Sequence, residues 1–278
     1  MIHIAQRPGP ATGLPTRTEQ GDLELALYAG HGEFPRVILA PGNLTEAVSL
    51  THKAFDLADK FQVPVFILTD QYFVDSTYNI PAPDIDGLIS ERHIIQTAKG
   101  YRRFQLNETG ISPRGIPGHG EGLVGVDSDE HDEEAHITER MDIRVKMVDK
   151  RLRKMALIQG ESIPPELVGS RNYKYLLIGW GSILEIIKEA LDVIGGDDIA
   201  FLHFKQVYPL PEVFFLAVSA AEKVAVIENN ATAQFAKLIK LYGGMDISRR
   251  ILKYDGLPFS VEEAARRIRS IFLDEGES

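Results

Sequence analysis

Two apolar runs separated by one amphipathic stretch constrain this chain more than any other feature in it. "RVILAPG" (residues 36–42) reads as a buried strand stopped by a Pro-Gly turn, and "VPVFILTD" (63–70) reads as another. Between them, "NLTEAVSLTHKAFDLADKF" opens at the capping candidates Asn43 or Thr45 and sets Ala47, Leu50, Ala54, Leu57 and Ala58 at helical spacing. Strand, helix and strand in so short a span make a βαβ unit, which requires parallel strands. Such a sheet must be covered on both faces. One βαβ unit with a short apolar strand end (Met1 to Ile4) before it is roughly half of an α/β domain. The pattern therefore predicts that the remaining strands come from a missing N-terminal part or from another polypeptide.

A second, complete doubly wound pattern starts at Tyr173. "YKYLLIGWGS", "IAFLHFKQVYPLP" and "KVAVIENN" read as strands, and "ILEIIKEALDVIG", "EVFFLAVSAA" and "ATAQFAKLIKLYGG" as the helices that follow them. "SVEEAARRIRSIFLDE" is a final amphipathic helix with Ser260 at its N-cap and Glu263 three residues on. From Asn79 to about Arg140 the chain is rich in Pro, Gly and charge and reads as short strands and long loops. A basic amphipathic helix, "MDIRVKMVDKRLRKMALI", and a linker, "GESIPPELVGSRNY", come next. The expected fold class is α/β, organised as 1–78, an irregular region with one helix at 79–172, and 173–278.

Composition narrows the partners. A net charge of −10 disfavours nucleic acid and anionic membranes, which select for clustered cations. With no cysteine, disulfides, thiolate-bound zinc and a cysteine-held iron–sulfur cluster are excluded for this chain. No apolar run approaches the roughly 20 residues that span a bilayer, and no signal peptide is visible, so a cytoplasmic protein is expected.

Four constellations could carry chemistry, and each has an ordinary structural alternative. The first is the loop "AQRPGPATGLPTRTEQGDL" from Ala5, with Arg7, Thr12, Thr16, Arg17 and Thr18 close together. A guanidinium fork fits a carboxylate bidentately, or these arginines pair with Glu19 or Asp22. "GWGS" precedes a helix N-terminus, an anion site or simply a close-packed turn. Asp127 to His136 gathers six carboxylates and two histidines, without EF-hand or HExxH spacing; it reads as a solvated acidic loop, a docking surface for a basic partner, or a metal-dependent hydrolase centre. In "IENNATAQ", Glu228, Asn229, Asn230 and Gln234 stand where α/β sheets bind ligands, and where caps also occur. The isolated histidines read as structural. No nucleophile–base pair, GxSxG elbow or P-loop is present.

The stretches "QRPGPATGLPTRTEQGDL", "YAGHGEFPRVILAPG", "FILTDQY", "ISPRGIPG", "DSDEHDEEAHITE" and "ENNATAQFAKL" resemble the alpha subunits of 2-oxoacid:ferredoxin oxidoreductases, particularly those of 2-oxoglutarate type. The resemblance covers essentially the whole chain. It implies a partial thiamine-pyrimidine-binding domain followed by a transketolase C-terminal-like domain. It also implies oxidative decarboxylation of a 2-oxoacid on thiamine diphosphate, with transfer of the acyl group to coenzyme A and of electrons to ferredoxin. Thiamine diphosphate, Mg2+ and a [4Fe-4S] cluster are implied to sit mainly on a partner beta subunit, with none held by this chain alone. Gamma and delta subunits or a separate N-terminal half are further implied partners, in a homo- or hetero-oligomer. Arg7 and Thr12 match the positions that approach the substrate carboxylate and its carbonyl end. Glu228, Asn230 and Gln234 remain ligand or interface candidates, and no metal ligand is expected. The Y-P-I-T-P-type stretch and the activating glutamate of the family are absent, so the chain alone is expected to be inactive. Ala233 also replaces a glycine common in the family. The competing reading is a non-catalytic assembly subunit.

Overall fold

The computed structural model describes residues 1–273. In chain order its elements are β1 (Ile2–Gln6), α1 (Leu23–Tyr28), β2 (Val37–Leu39), α2 (Leu44–Phe61), β3 (Val65–Asp70), α3 (Gln71–Asp75), α4 (Met141–Gly160), β4 (Glu166–Gly169), β5 (Tyr175–Trp180), α5 (Leu184–Ile194), β6 (Ile199–Phe204), β7 (Gln206–Tyr208), α6 (Val213–Ser219), β8 (Lys223–Glu228), α7 (Gln234–Gly243), β9 (Arg249–Leu252) and α8 (Val261–Phe272). Of the final helix expected from the sequence, Asp274 and Glu275 lie outside the described residues. The expected caps form: Asn43 Oδ1 accepts Glu46 N at 3.0 Å and Ser260 Oγ accepts Glu263 N at 3.1 Å.

The strands make two sheets, ordered β1-β3-β2-β7 and β4-β6-β5-β8-β9. In each the central pairings are parallel, and an antiparallel strand closes one edge. Period-two alternation sorts the side chains. On β2 and β3, Val37, Leu39, Val65 and Ile67 turn toward α2 and the end of α4, packing with Leu50, Leu57, Phe61 and Ile158. Ile38, Phe66 and Leu68 turn the other way. They join Leu176, Ile178 and Trp180 of β5, Phe204 of β6, and apolar residues of α1, α6 and α7 in one continuous core between the sheets. The outer face of the second sheet is covered by α5 and α8 through Leu184, Ile187, Ala190, Ala264, Ile268 and Phe272. Burying each such Leu, Ile or Phe contributes about 1.5–3 kcal/mol. The shared core fuses the two sheets into one body. Gly42 marks how closely they approach: a Cβ there would stand 2.7 Å from both His203 and Leu184 side chains.

Three readings need correction. "IAFLHFKQVYPLP" is two strands, not one. The chain leaves the second sheet at Phe204, turns at Lys205 and enters the first sheet as β7, antiparallel to β2. The Lys205 carbonyl accepts Ala40 N at 2.9 Å, next to β2, and its ammonium bridges Glu46 of α2 at 3.2 Å and Glu166 of β4 at 3.7 Å, so this residue joins the two sheets. The first sheet thus takes one of its missing strands from the second half of this same chain. "GESIPPELVGSRNY" is not only a linker, because it contains β4, an edge strand paired with β6; Pro164 and Pro165 precede it, and proline cannot donate to a ladder. Between Asn79 and Arg140 the short strands are not seen among the described residues. Only the bridges Thr97–Gly120 and His131–Ile137 occur. Turns satisfy the backbone instead, with Thr97 bonded to His119 and Glu121 through its main chain and to Gly122 through its hydroxyl.

Candidate functional site

The carboxyl ends of β1 and β3 lie side by side, with Gln6 opposite Asp70. Ligand sites in parallel sheets form at such edges. The loop leaving β1 folds back on itself, with Leu14 N donating to Pro8 O at 3.1 Å and Arg17 N to Leu14 O at 3.1 Å. Gly13, at φ 52°, cannot be replaced here, because a Cβ would fall 1.8 Å from Pro8 O. This fold leaves Gly9 to Arg17 exposed, and Arg7 as well. Among the described residues the side chains of Arg7 and Thr12 make no hydrogen bond or ion pair. The predicted pairing of Arg7 with Asp22 exists only as a longer-range field: burial raises the Asp22 carboxyl above its ordinary range, and Arg7 partly offsets this. Glu19 is also raised, by burial and then by the Asp22 charge.

From Thr18 onward the same loop is buried and bonded. Thr18 N donates to Gly256 O, and Thr18 Oγ1 accepts Tyr72 N at 3.2 Å. Asp70, on the end of β3, accepts from Phe73 N at 2.9 Å and from Ser182 Oγ, and burial holds its carboxyl above the usual range. Gln20 Nε2 donates to Trp180 O at 2.8 Å, and Gln20 Oε1 accepts Asn229 N at 2.9 Å. Gln234 spans Gly21 O and Glu24 N. Asn230 Nδ2 donates to Gln20 O at 3.1 Å and to Glu228 Oε2 at 2.8 Å. Glu228 follows Val226 by two on β8 and so faces the inter-sheet core, fully buried. Its oxygens accept Phe235 N at 2.9 Å, Ala236 N at 3.1 Å and Trp180 Nε1 at 3.4 Å. It caps the first turn of α7 from outside the helix, and burial raises its carboxyl. Glu228, Asn230 and Gln234 are therefore brought together, and what they bind is the back of the opening loop.

The "GWGS" turn is packed rather than open. Gly181, Ser182 and Ile183 are buried in a single 3-10 turn, and Gly181 O accepts His203 Nε2 at 3.0 Å. His203, read as structural from the sequence, is buried here; sequence reasoning missed Asp70. An alternating strand does signal an inward His203, since it shares a face with Ile199 and Phe201; for Asp70 only the capping bond to Phe73 N is local, and nothing local signals Ser182.

The acidic loop also finds its partners inside the chain. Glu130 accepts Arg144 at 2.5 Å and Arg151 at 2.8 Å, both on α4, which pulls its carboxyl down to about 2. Glu133 binds Arg102 at 3.2 Å and Leu106 N at 2.8 Å. Asp132 accepts Glu134 N and His136 N. Among the described residues no group of three or more His, Asp or Glu is placed to hold a metal ion. Among the described residues no helix is long and apolar enough to cross a membrane.

Residues 1–150 match the family described as pyruvate flavodoxin/ferredoxin oxidoreductase, thiamine diP-binding. The chain belongs to that family. It is similar to the alpha subunit of 2-oxoacid:ferredoxin oxidoreductase 1 of Sulfurisphaera tokodaii, 35% identical over 277 residues, covering 96% of this chain and 44% of that one. It is also similar to the 2-oxoglutarate oxidoreductase subunit KorA of Mycobacterium tuberculosis, 30% identical over 292 residues and covering 97% and 42%. Among solved structures, the 2-oxoglutarate:ferredoxin oxidoreductase from Magnetococcus marinus, with 2-oxoglutarate, coenzyme A and succinyl-CoA bound, superposes with a TM-score of 0.89. It is 29% identical, over 97% of this chain and 48% of that one. The chain thus spans less than half the length of these relatives. The family resemblance and the α/β fold expected from the sequence both hold.

Proposed function

We propose that this chain is the alpha-subunit component of a cytoplasmic, thiamine diphosphate-dependent 2-oxoacid:ferredoxin oxidoreductase, acting on 2-oxoglutarate or a close analogue, and inactive by itself. The observation that carries the reading is Arg7 and Thr12, both exposed and without a hydrogen-bond partner among the described residues, on one tightly folded loop at the carboxyl edge of a parallel sheet. A guanidinium with free donors grips a substrate carboxylate bidentately, and a nearby hydroxyl bonds the oxygen on which charge develops.

The residues of this chain fit the substrate end of the reaction and do not fit the whole cofactor. Asp70, the carboxylate nearest the strand ends, has its oxygens committed to Ser182, Phe73 N and Thr18. No carboxylate cluster suited to a diphosphate-bound Mg2+ occurs among the described residues, and the chain has no cysteine for an iron–sulfur cluster. This supports a division of labour in which a beta subunit holds thiamine diphosphate, Mg2+ and the [4Fe-4S] cluster, and in which coenzyme A and ferredoxin are met through the complex. The outer edge of β1 is unpaired among the described residues, with Ile2 46% exposed, and such an edge accepts a further strand from another segment or subunit. Residues 1–78 with β7 would then complete a pyrimidine-binding domain, 79–172 would serve as an interface, and 173–278 would scaffold both.

The test is anoxic. The native complex, isolated through this chain, should reduce viologen with a 2-oxoacid only when coenzyme A is present. A complex that retains its beta subunit and thiamine, yet reduces nothing with any 2-oxoacid, would establish the assembly-subunit reading instead.

A further inference from the structure

A cavity of about 290 Å³ lies away from the strand edge, between the residues before β2, the α2–β3 turn, the loop around Phe104 and helix α4. Its wall is unusual for its charge. Arg103, Lys150 and Lys154 all line it, and none has a carboxylate within ion-pair distance among the described residues. The fourth cation there, Arg151, is paired with Glu130, which it shares with Arg144. Glu133, whose field reaches Lys150, is itself bonded to Arg102 and Leu106 N.

Lys150 is 6% exposed, yet among the described residues its ammonium donates one hydrogen bond, to the Phe104 carbonyl at 2.7 Å, and lies over the Phe104 ring. Lys154 meets only the Gln62 carbonyl, at 3.3 Å. An ammonium has three donors, so each keeps two to spare. Burial, the Lys154 and Arg103 charges pull Lys150 down to about 8; burial and the Arg103 and Arg151 charges do the same to Lys154. Three like charges gathered and desolvated without an anion are unfavourable. The arrangement is compensated if an anion enters. The remaining lining is partly aromatic: Phe34 contributes to it, and the Phe104 ring, over which Arg103 and Lys150 lie at 5.2 and 5.7 Å, also meets the His131 ring at 3.9 Å between centroids.

We propose that this cavity is a binding site for a small organic phosphate, with its phosphate groups on Arg103, Lys150 and Lys154 and its organic body on the Phe34–Phe104 wall. Three uncompensated cations call for two or three negative charges in a small volume. A phosphate ester or diphosphate brings these, whereas a lone carboxylate brings one. The volume lies at the small end of the range for ligand pockets, so a compact phosphate fits and a nucleotide would extend from its mouth. The site is separate from Arg7 and Thr12, and the proposal does not depend on the reading of those residues.

The experiment is calorimetric titration of the full chain with ADP, inorganic pyrophosphate and adenosine, without divalent cation and at fixed ionic strength. ADP is expected to bind with Kd of about 100 µM or tighter, pyrophosphate more weakly, and adenosine not measurably. Lys154→Met and Arg103→Gln should each weaken ADP at least about tenfold. Arg103 makes no hydrogen bond among the described residues and lies on a loop, so Arg103→Gln should keep the cooperative melting of the parent and separates loss of ligand from loss of fold. Absence of ADP binding to the folded chain at millimolar concentration overturns the proposal. So does affinity unchanged in both variants, or adenosine binding as tightly as ADP.

Discussion

The opening loop divides at Thr18, and its two parts spend their polar groups differently. From Arg7 to Arg17 it is mostly exposed, and Arg7 and Thr12 touch no partner among the described residues. From Thr18 to Glu24 its polar groups are tied, through Gln20, Gly21 and Glu24, to Asn229, Asn230 and Gln234 on the far sheet. A single motif therefore meets two constraints. The back part fuses the sheets, and the front part keeps a cation and hydroxyls free at an edge where ligands bind. Each constraint can be broken separately.

The largest effect is expected at Glu228. Glu228→Ala strips the acceptor from Phe235 N, Ala236 N, Asn230 Nδ2 and Trp180 Nε1 inside the core. Unpaired buried donors of this kind cost about 3–5 kcal/mol together. Urea denaturation of the chain measures this, and a loss below about 1 kcal/mol would mean that the back of the loop does not hold the sheets together. Arg7→Ala should do the opposite. Stability should stay within about 0.5 kcal/mol, as for exposed positions. Viologen reduction by the completed complex should fall about 100-fold, or roughly 2.7 kcal/mol in the barrier. Activity kept within a few-fold would remove Arg7 from the substrate site.

How much of this was legible in the sequence follows from range. The βαβ unit, the complete second sheet, and the caps at Asn43 and Ser260 depend on residues within a turn or two of each other, and periodicity displays them. The transfer from β6 to β7 does not, because an unbroken apolar run looks the same whether it stays in one sheet or changes sheets at Lys205. Arg7 and Thr12 could be singled out by chemistry, and a family resemblance gave them a role. The partners of Asn229 and Glu130 could not be read. Gln20 lies more than two hundred residues from Asn229, and Arg151 lies 21 from Glu130; only folding brings each pair together.

Glu130 offers a third case, a carboxylate spent on the fold but near the surface. Its folded value, about 2, lies below the ordinary 4.5 because Arg151 and Arg144 bond the ionised form. A depressed carboxyl contributes stability that is present above 4.5 and lost as pH falls toward 2. Glu228 is raised by burial, so its contribution runs the other way: it is fullest below 4.5 and lost as pH rises through its folded value. Glu130→Gln should lower stability at pH 7 by about 1 kcal/mol or less, since solvent screens such pairs, and should flatten the acid side of the stability profile. A parent and variant with the same slope between pH 5 and 2.5 would show that the clasp between the acidic loop and α4 carries no net energy.

The smallest effect is expected where the back of the loop meets an alanine with left-handed backbone. Ala233 stands just before α7, buried, with φ 52°. An L-residue there is strained by about 1–2 kcal/mol, which glycine avoids. Glycine, however, gives up one buried methyl, about 0.8 kcal/mol, and enlarges the unfolded ensemble by about 0.4–1 kcal/mol. These terms cancel, so Ala233→Gly should change the urea midpoint by the equivalent of less than about 0.5 kcal/mol. Ala233→Val adds a branched Cβ to the same left-handed backbone in a packed site, where overpacking alone costs about 1–3 kcal/mol. A gain above 1 kcal/mol for glycine would mean that Ala233 loads the Glu228 knot more heavily than its dihedral alone requires. The knot would then be a strained clamp, not a set of satisfied bonds.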